Sequence, residues 1–260
     1  MASFLRCHIP ALGKDAYRLG LAGNFGLDEA GVEEALSGPT NYLFWTPRMR
    51  TVTQPLRRAL ARDRDRYIVA TGPTTAFWGG NLRRFTENAL RTLNTDYLDI
   101  LQMHWLGVTS SWRPGTVEVM VKLREEGKVR ALGVSIHDRV KAGELAKDSP
   151  LDALMIRYNA AHPGAEKDIF PHLAHRNPAV IAYTATRWRK LLKRPRGWDG
   201  EVPTAGHCYR FCLSNPHVSL VLHGPATMGQ FKDNLAAMAQ GALSDAERSW
   251  MREFGAVVHG

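Results

Sequence analysis

Residues 98–104 read LDILQMH, residues 115–126 read GTVEVMVKLREE, and residues 129–135 read VRALGVS. The first and last stretches are short apolar runs with little polar alternation, as expected of strands covered on both faces. The middle stretch has apolar residues at helical spacing and stops before Gly127, a natural helix C-cap. Strand, helix and strand in that order make a βαβ crossover, which joins parallel neighbours with right-handed sense.

Working outward, the same alternation runs from end to end. Strands are expected at residues 17–22, 41–44, 67–71, 98–104, 129–135, 153–157, 180–183 and 219–222. Helices are expected at 27–37, 54–63, 81–93, 115–126, 139–146, 167–175, 205–214 and 228–240, with a last one at 244–258 opened by a Ser244/Glu247 capping box. Eight units of roughly 30 residues predict a closed (β/α)8 barrel, one α/β domain over residues 1–260. Gly20, Gly23 and Gly26 in the first βα turn do not form the GxGxxG fingerprint of an open dinucleotide-binding sheet.

A chain of 260 residues with 44% hydrophobic and 23% charged residues has the make-up of a globular protein and not of a disordered one. Only Cys7, Cys208 and Cys212 occur, which argues against a disulfide framework. Cys208 and Cys212, four apart, read as two packed thiols rather than a metal pair, and no metal site is expected. No run approaches the ~20 apolar residues of a membrane span, the first residues do not form a secretory signal, and a cytoplasmic location is expected.

The net charge is +9. Its densest concentration is Arg187, Arg189, Lys190, Lys193, Arg194 and Arg196, after the seventh expected strand. Barrels of this kind bind phosphate in the loops after strands 7 and 8. Gly224 and the turn into the helix at Met228 supply the facing wall, with free N–H groups for an anion. No nucleic-acid motif accompanies the charges. In such a barrel the site lies at the C-terminal ends of the strands. That places residues 23–25, 45–50, 72–75, 104–105, 135–137, 157–162, 183–190 and 223–227 at the mouth. Arg48 and Arg50 offer a cation to a substrate carboxylate or oxyanion. Trp45, Trp78, Trp105, Trp112 and Trp188 offer walls for an apolar or aromatic ligand.

Residues 93–105 (LNTDYLDILQMHW) and 123–135 (LREEGKVRALGVS) resemble the aldo-keto reductase family. So do Tyr158 with Asn159, Ala182 with Tyr183, and Gly224 followed by QFKDNL at 230–235. The resemblance runs nearly end to end. It implies the same barrel, NADP(H) bound at its mouth, and hydride transfer to or from a carbonyl carbon of a small substrate, here anionic or aromatic. It also implies a tetrad of Asp, Tyr, Lys and His. On this chain the first three positions hold Phe44, Met49 and Gly72, and only His104 remains. His104 is then the expected proton donor, with Arg48 polarising the carbonyl oxygen. Cofactor contacts are expected from Ser135, Asn159, Tyr183, Arg187, Arg189, Gly224, Asp233 and Asn234. The usual amide-holding Asn and Gln positions hold Ile136 and Met155. Because three of four tetrad positions are replaced, two alternatives stay open: a non-redox lyase or isomerase, and a non-catalytic nucleotide-binding or partner-binding barrel.

Overall fold

The computed structural model describes residues 4–23 and 25–259. Ten strands are described: β1 (Arg6–Ile9), β2 (Lys14–Tyr17), β3 (Leu19–Ala22), β4 (Tyr42–Phe44), β5 (Ile68–Thr71), β6 (Leu98–Leu106), β7 (Val129–Ile136), β8 (Ala153–Arg157), β9 (Ala179–Tyr183) and β10 (Leu220–His223). The last eight close into a barrel in the order β10-β3-β4-β5-β6-β7-β8-β9, with every neighbouring pair parallel. The barrel read from the sequence is the fold observed.

Helices cross between the strands: α1 (Glu29–Ser37), α2 (Arg50–Arg62), α3 (Gly79–Leu93), α4 (Pro114–Glu125), α5 (Arg139–Lys147), α6 (Ala165–Asp168), α7 (Ala205–Leu213), α8 (Met228–Ala239) and α9 (Asp245–His259). Ser244 and Glu247 form the expected reciprocal cap before α9: Ser244 N donates to Glu247 Oε2 at 2.7 Å, and Glu247 N donates to Ser244 Oγ at 3.2 Å. The helix expected at 167–175 is instead the single turn α6 followed by a 3₁₀ segment, Phe170–His175. Pro171 explains the break, since it has no N–H to continue α6.

The sequence reading missed one element. Residue 17 was expected at the start of the first barrel strand, but Tyr17 ends the antiparallel hairpin β1–β2. Its turn contains Pro10–Leu12 and Gly13, whose φ of 60° suits glycine. Ile9 and Ala16 of the hairpin join the barrel-interior cluster with Tyr42, Ile68, Ile100 and Ile181, so the hairpin covers one end of the barrel. Lys14 locks it there. Its Nζ donates to Asp99 Oδ1 at 2.9 Å and to the Tyr67 carbonyl at 3.1 Å. Asp99 is fully buried, and its other oxygen accepts from Arg64 Nη2 at 2.8 Å and Val69 N at 2.9 Å. A buried carboxylate held by two cations and a backbone amide is satisfied at every side, the condition under which a buried charge is tolerated.

A second, larger cluster lies between barrel and helices and includes Leu21, Leu56, Leu82, Leu123, Leu154 and Phe254. Cys208 and Cys212 belong to it. Burial pushes Cys208 up to about 12, and Cys212 Sγ donates to the Tyr158 carbonyl at 3.2 Å. Among the described residues no three His, Cys, Asp or Glu side chains gather as a metal site. No described helix is long and apolar enough to cross a membrane.

Candidate active site

The C-terminal ends of the strands frame a cavity of about 610 Å³. Ala22 of β3, Phe44 of β4, His104 of β6, Ser135 of β7, Met155 of β8, Tyr183 of β9 and His223 of β10 all face it. Each sits at or near the end of a parallel strand, so the barrel's regularity brings residues distant in sequence to one place. Asn24, expected at the mouth, lies outside the described residues.

His104 is only 8% exposed, and its Nε2 has no hydrogen-bond partner among the described residues. Its carbonyl accepts from Ser110 Oγ at 2.7 Å and from Thr109 Oγ1 at 3.2 Å. These bonds pin the strand end, where Trp105 takes a left-handed φ of 45°. The Phe44 ring lies 5.3 Å from the imidazole, centroid to centroid. Burial away from water disfavours the charged form and lowers the His104 pKa to about 4. The ring is therefore neutral at pH 7, and its buried Nε2 is unpartnered among the described residues.

The positions that the resemblance aligns with the first three tetrad residues are tightly packed. Met49 is buried and lines the cavity with Phe44. Gly72 packs so tightly on β6 that a β-carbon would overlap the Gln102 carbonyl. None of Phe44, Met49 and Gly72 brings a titratable group to the cavity.

Two further groups complete the wall. The Ser135 hydroxyl is buried and makes no hydrogen bond of standard geometry to a described residue, yet it lies close enough to the Tyr183 phenol to lower its pKa. The Tyr183 hydroxyl shares a hydrogen bond of 2.9 Å with His137 Nε2. Burial pushes the Tyr183 phenol up to about 12, so it keeps its proton at neutral pH. Burial first, then Arg157, lowers the pKa of His137. The sequence reading put His137 at the mouth without a role. The signal that finds it is its position one residue past β7, facing the aromatic that ends β9.

The other expected cofactor residues divide. Arg189 lines the cavity and is exposed. Gly224 lines it too, with the Phe25 ring packed where a β-carbon would stand. Arg187 does not face the cavity. Its guanidinium donates to the Val258 carbonyl, and to that of His259 at 3.4 Å, clamping the last turn of α9. Arg194 likewise serves the carbonyls of Trp198 and Gly200, at 2.9 and 2.7 Å. The basic run is thus partly spent on folding its own loop, where Thr184 and Arg187–Arg189 all take positive φ.

Asn159 is fully buried and turned to backbone. Its Nδ2 donates to the Thr184 carbonyl at 2.8 Å, and its Oδ1 accepts from Ala161 N at 3.0 Å. Asn234 is buried, and its Nδ2 pairs with His223 Nδ1 at 3.2 Å. It leaves His223 Nε2 without a partner, and burial takes that ring down to about 3. Asp233 is exposed on α8, outside the cavity lining. The start of α8 is partly self-capped: Thr227 Oγ1 accepts from Gln230 N at 3.2 Å, and Ala226 N donates to Gln230 Oε1 at 2.9 Å. Arg48 is also displaced from its expected place. It lies in a separate cleft of about 330 Å³ and does not meet His104. The two cavities share Thr46 and Thr74.

Comparison with known proteins agrees with this architecture. The family model described as "Aldo/keto reductase family" matches residues 48–195, more than half of the chain. The methylglyoxal reductase YeaE of Escherichia coli (strain K12) is 36% identical over 172 residues, covering 62% of this chain and 60% of that protein. The aldo-keto reductase YhdN of Bacillus subtilis (strain 168) is 29% identical over 130 residues, 46% of this chain and 39% of its own length. The chain thus spans less than two thirds of the length of these curated relatives. Among solved structures, the holo form of the aldo-keto reductase AKR11C1 from Bacillus halodurans superposes with a TM-score of 0.80 at 22% identity, over 96% of this chain and 95% of that one. An aldo-keto reductase from Klebsiella pneumoniae, solved in complex with NADPH, does so with a TM-score of 0.75 at 22% identity, over 94% and 93%. With the parallel barrel, its mouth cavity and the match over residues 48–195 taken together, the chain belongs to the aldo/keto reductase family.

Proposed function

We propose that this protein is an NADP(H)-dependent oxidoreductase of small carbonyl compounds, in which His104 replaces the usual relay as proton donor. The observation that carries this reading is the unpartnered Nε2 of buried His104 on the cavity wall. A buried polar atom left without a partner is costly and marks a place where a ligand completes the bonding.

The residues present fit a nicotinamide dinucleotide. Ser135 lines the cavity and brings a hydroxyl for a carboxamide. The Tyr183 ring, held at its edge by His137, offers a fixed face for stacking. Exposed Arg189 stands at the mouth for a phosphate. Ile136 and Met155 add no polar contact; Met155 Sδ instead accepts from Gln102 Nε2 at 3.2 Å. The chemistry such a dinucleotide supplies when bound is hydride transfer to the carbonyl carbon.

The chain's own part is at the carbonyl oxygen. His104 Nε2 donates a hydrogen bond there and orients the carbonyl. Hydride addition at carbon leaves the electron pair on oxygen, and the imidazolium form of His104 transfers its proton to it. In the reverse direction the neutral ring accepts the alcohol proton. The apolar surroundings from Phe44, Met49 and Met155 exclude water and strengthen this single polar contact. The name of the relative YeaE, a methylglyoxal reductase, supports a small carbonyl substrate. Titration of NADPH, followed by quenching of tryptophan emission from Trp105 and Trp188 at the mouth, tests the reading. Saturable quenching that weakens in Arg189→Ala is expected. No binding at millimolar NADPH overturns it.

A further inference from the structure

The second cleft, of about 330 Å³, lies beside the main cavity between the segments after β4 and β5 and the first turns of α3. Its charged lining consists of Arg48 and Arg84, with no carboxylate. Some exposed arginines elsewhere on this molecule are answered by acids. Arg58 pairs with Glu33 at 2.6 Å, and Arg139 pairs with Asp168 at 2.7 Å. Arg83, one residue before Arg84, takes both oxygens of Glu126 at 2.8 and 2.6 Å. Arg48, by contrast, has no side-chain hydrogen bond or ion pair, and Arg84 reaches only Asn81 Oδ1 at 3.4 Å. Two arginines without an acidic partner among the described residues thus line one concave space.

We propose that this cleft is an anion subsite, seating a carboxylate carried by the substrate whose carbonyl meets His104. Guanidinium matches a carboxylate with paired N–H donors, which gives the contact direction as well as charge. Thr46 and Thr74 line both spaces, which are therefore neighbours and close enough for one elongated ligand to reach into each. The subsite does not compete with a cofactor phosphate. Arg189 follows β9, while Arg48 follows β4, and β10 and β3 stand between those strands in the barrel. The position of the carbonyl rests on the reductase reading; the anion subsite does not.

The test uses 4-formylbenzoate and the longer 4-(4-formylphenyl)butanoate, each against its neutral methyl ester. Dissociation constants are measured by titration calorimetry on the full chain, with and without NADPH. At least one acid should bind tenfold or more tightly than its ester. Arg48→Ala and Arg84→Ala should each remove most of that preference, Arg48→Lys should retain part of it, and added salt should weaken the acid selectively. Equal affinity of acid and ester at both lengths overturns the subsite, even if both aldehydes are reduced. Preferential acid binding with no NADPH oxidation upholds the subsite and refutes the reductase reading instead. A preference that survives both alanine variants, with their circular dichroism unchanged, places the anion elsewhere and also overturns the proposal.

Discussion

Gly72 at the end of β5 lies against the carbonyl of Gln102 on β6, so close that no β-carbon fits between them. The relationship leaves no room for a side chain at the position that the resemblance aligns with the family's lysine. Two parallel strands approach where a long cation would stand. Restoring the tetrad is then a packing problem before it is a chemical one. Gly72→Ala should lower stability by about 1–3 kcal/mol, the usual cost of overpacking. Phe44→Asp, Met49→Tyr and Gly72→Lys combined should gain no reductase activity. Urea unfolding and an aldehyde-reduction assay check both outcomes.

Stability should fall on acidification earlier than carboxylate titration alone produces. Burial lowers His104 to about 4 and His223 to about 3 in the folded state. Their unfolded values are ordinary, near 6.5. Below that pH the unfolded chain takes up protons that the folded chain refuses, so stability present above pH 6.5 is lost as pH falls. At about 1.4 kcal/mol per pH unit per histidine, two of them remove roughly 5 kcal/mol between pH 6.5 and 4.5. Urea midpoints measured across this range should show the drop, and His223→Gln should make it shallower.

Arg187 and Arg189 should separate cleanly. Arg187 clamps the carbonyl end of α9, and Arg189 faces the cavity. Arg187→Ala should lower the thermal midpoint, with a loss of about 1–3 kcal/mol from the unsatisfied helix end. Arg189→Ala should leave the midpoint near its original value and weaken NADPH binding several-fold. Thermal melts and fluorescence titration of the two variants decide the matter.

The barrel was legible because its information is local. Apolar runs such as residues 98–104 and 129–135, separated by a capped helix, fix a βαβ unit without knowledge of any distant contact. The β1–β2 hairpin was not legible. Its strands are four residues each, and Arg6, His8, Lys14 and Asp15 give them a polar look. Only the barrel end that receives Ile9 and Ala16 makes them a cover. At the site, sequence position brought His104, Ser135, Tyr183, Arg189 and Gly224 to one cavity. It did not show where long side chains turn. Arg187 and Arg48 sit in mouth loops, yet one reaches α9 and the other a separate cleft. The Tyr183–His137 bond joins residues 46 apart, which no spacing rule reveals.

That buried His104 supplies the proton for carbonyl reduction is tested most directly by the pH dependence of NADPH oxidation at aldehyde concentrations well below KM, where the rate reports the enzyme before the aldehyde binds. With its pKa near 4, the protonated fraction of His104 grows about tenfold for each unit the pH falls from 8 to 6. The rate should follow with that slope, and His104→Gln should abolish it. A rate that is flat across this range, or one that keeps its slope in His104→Gln, would contradict the assignment.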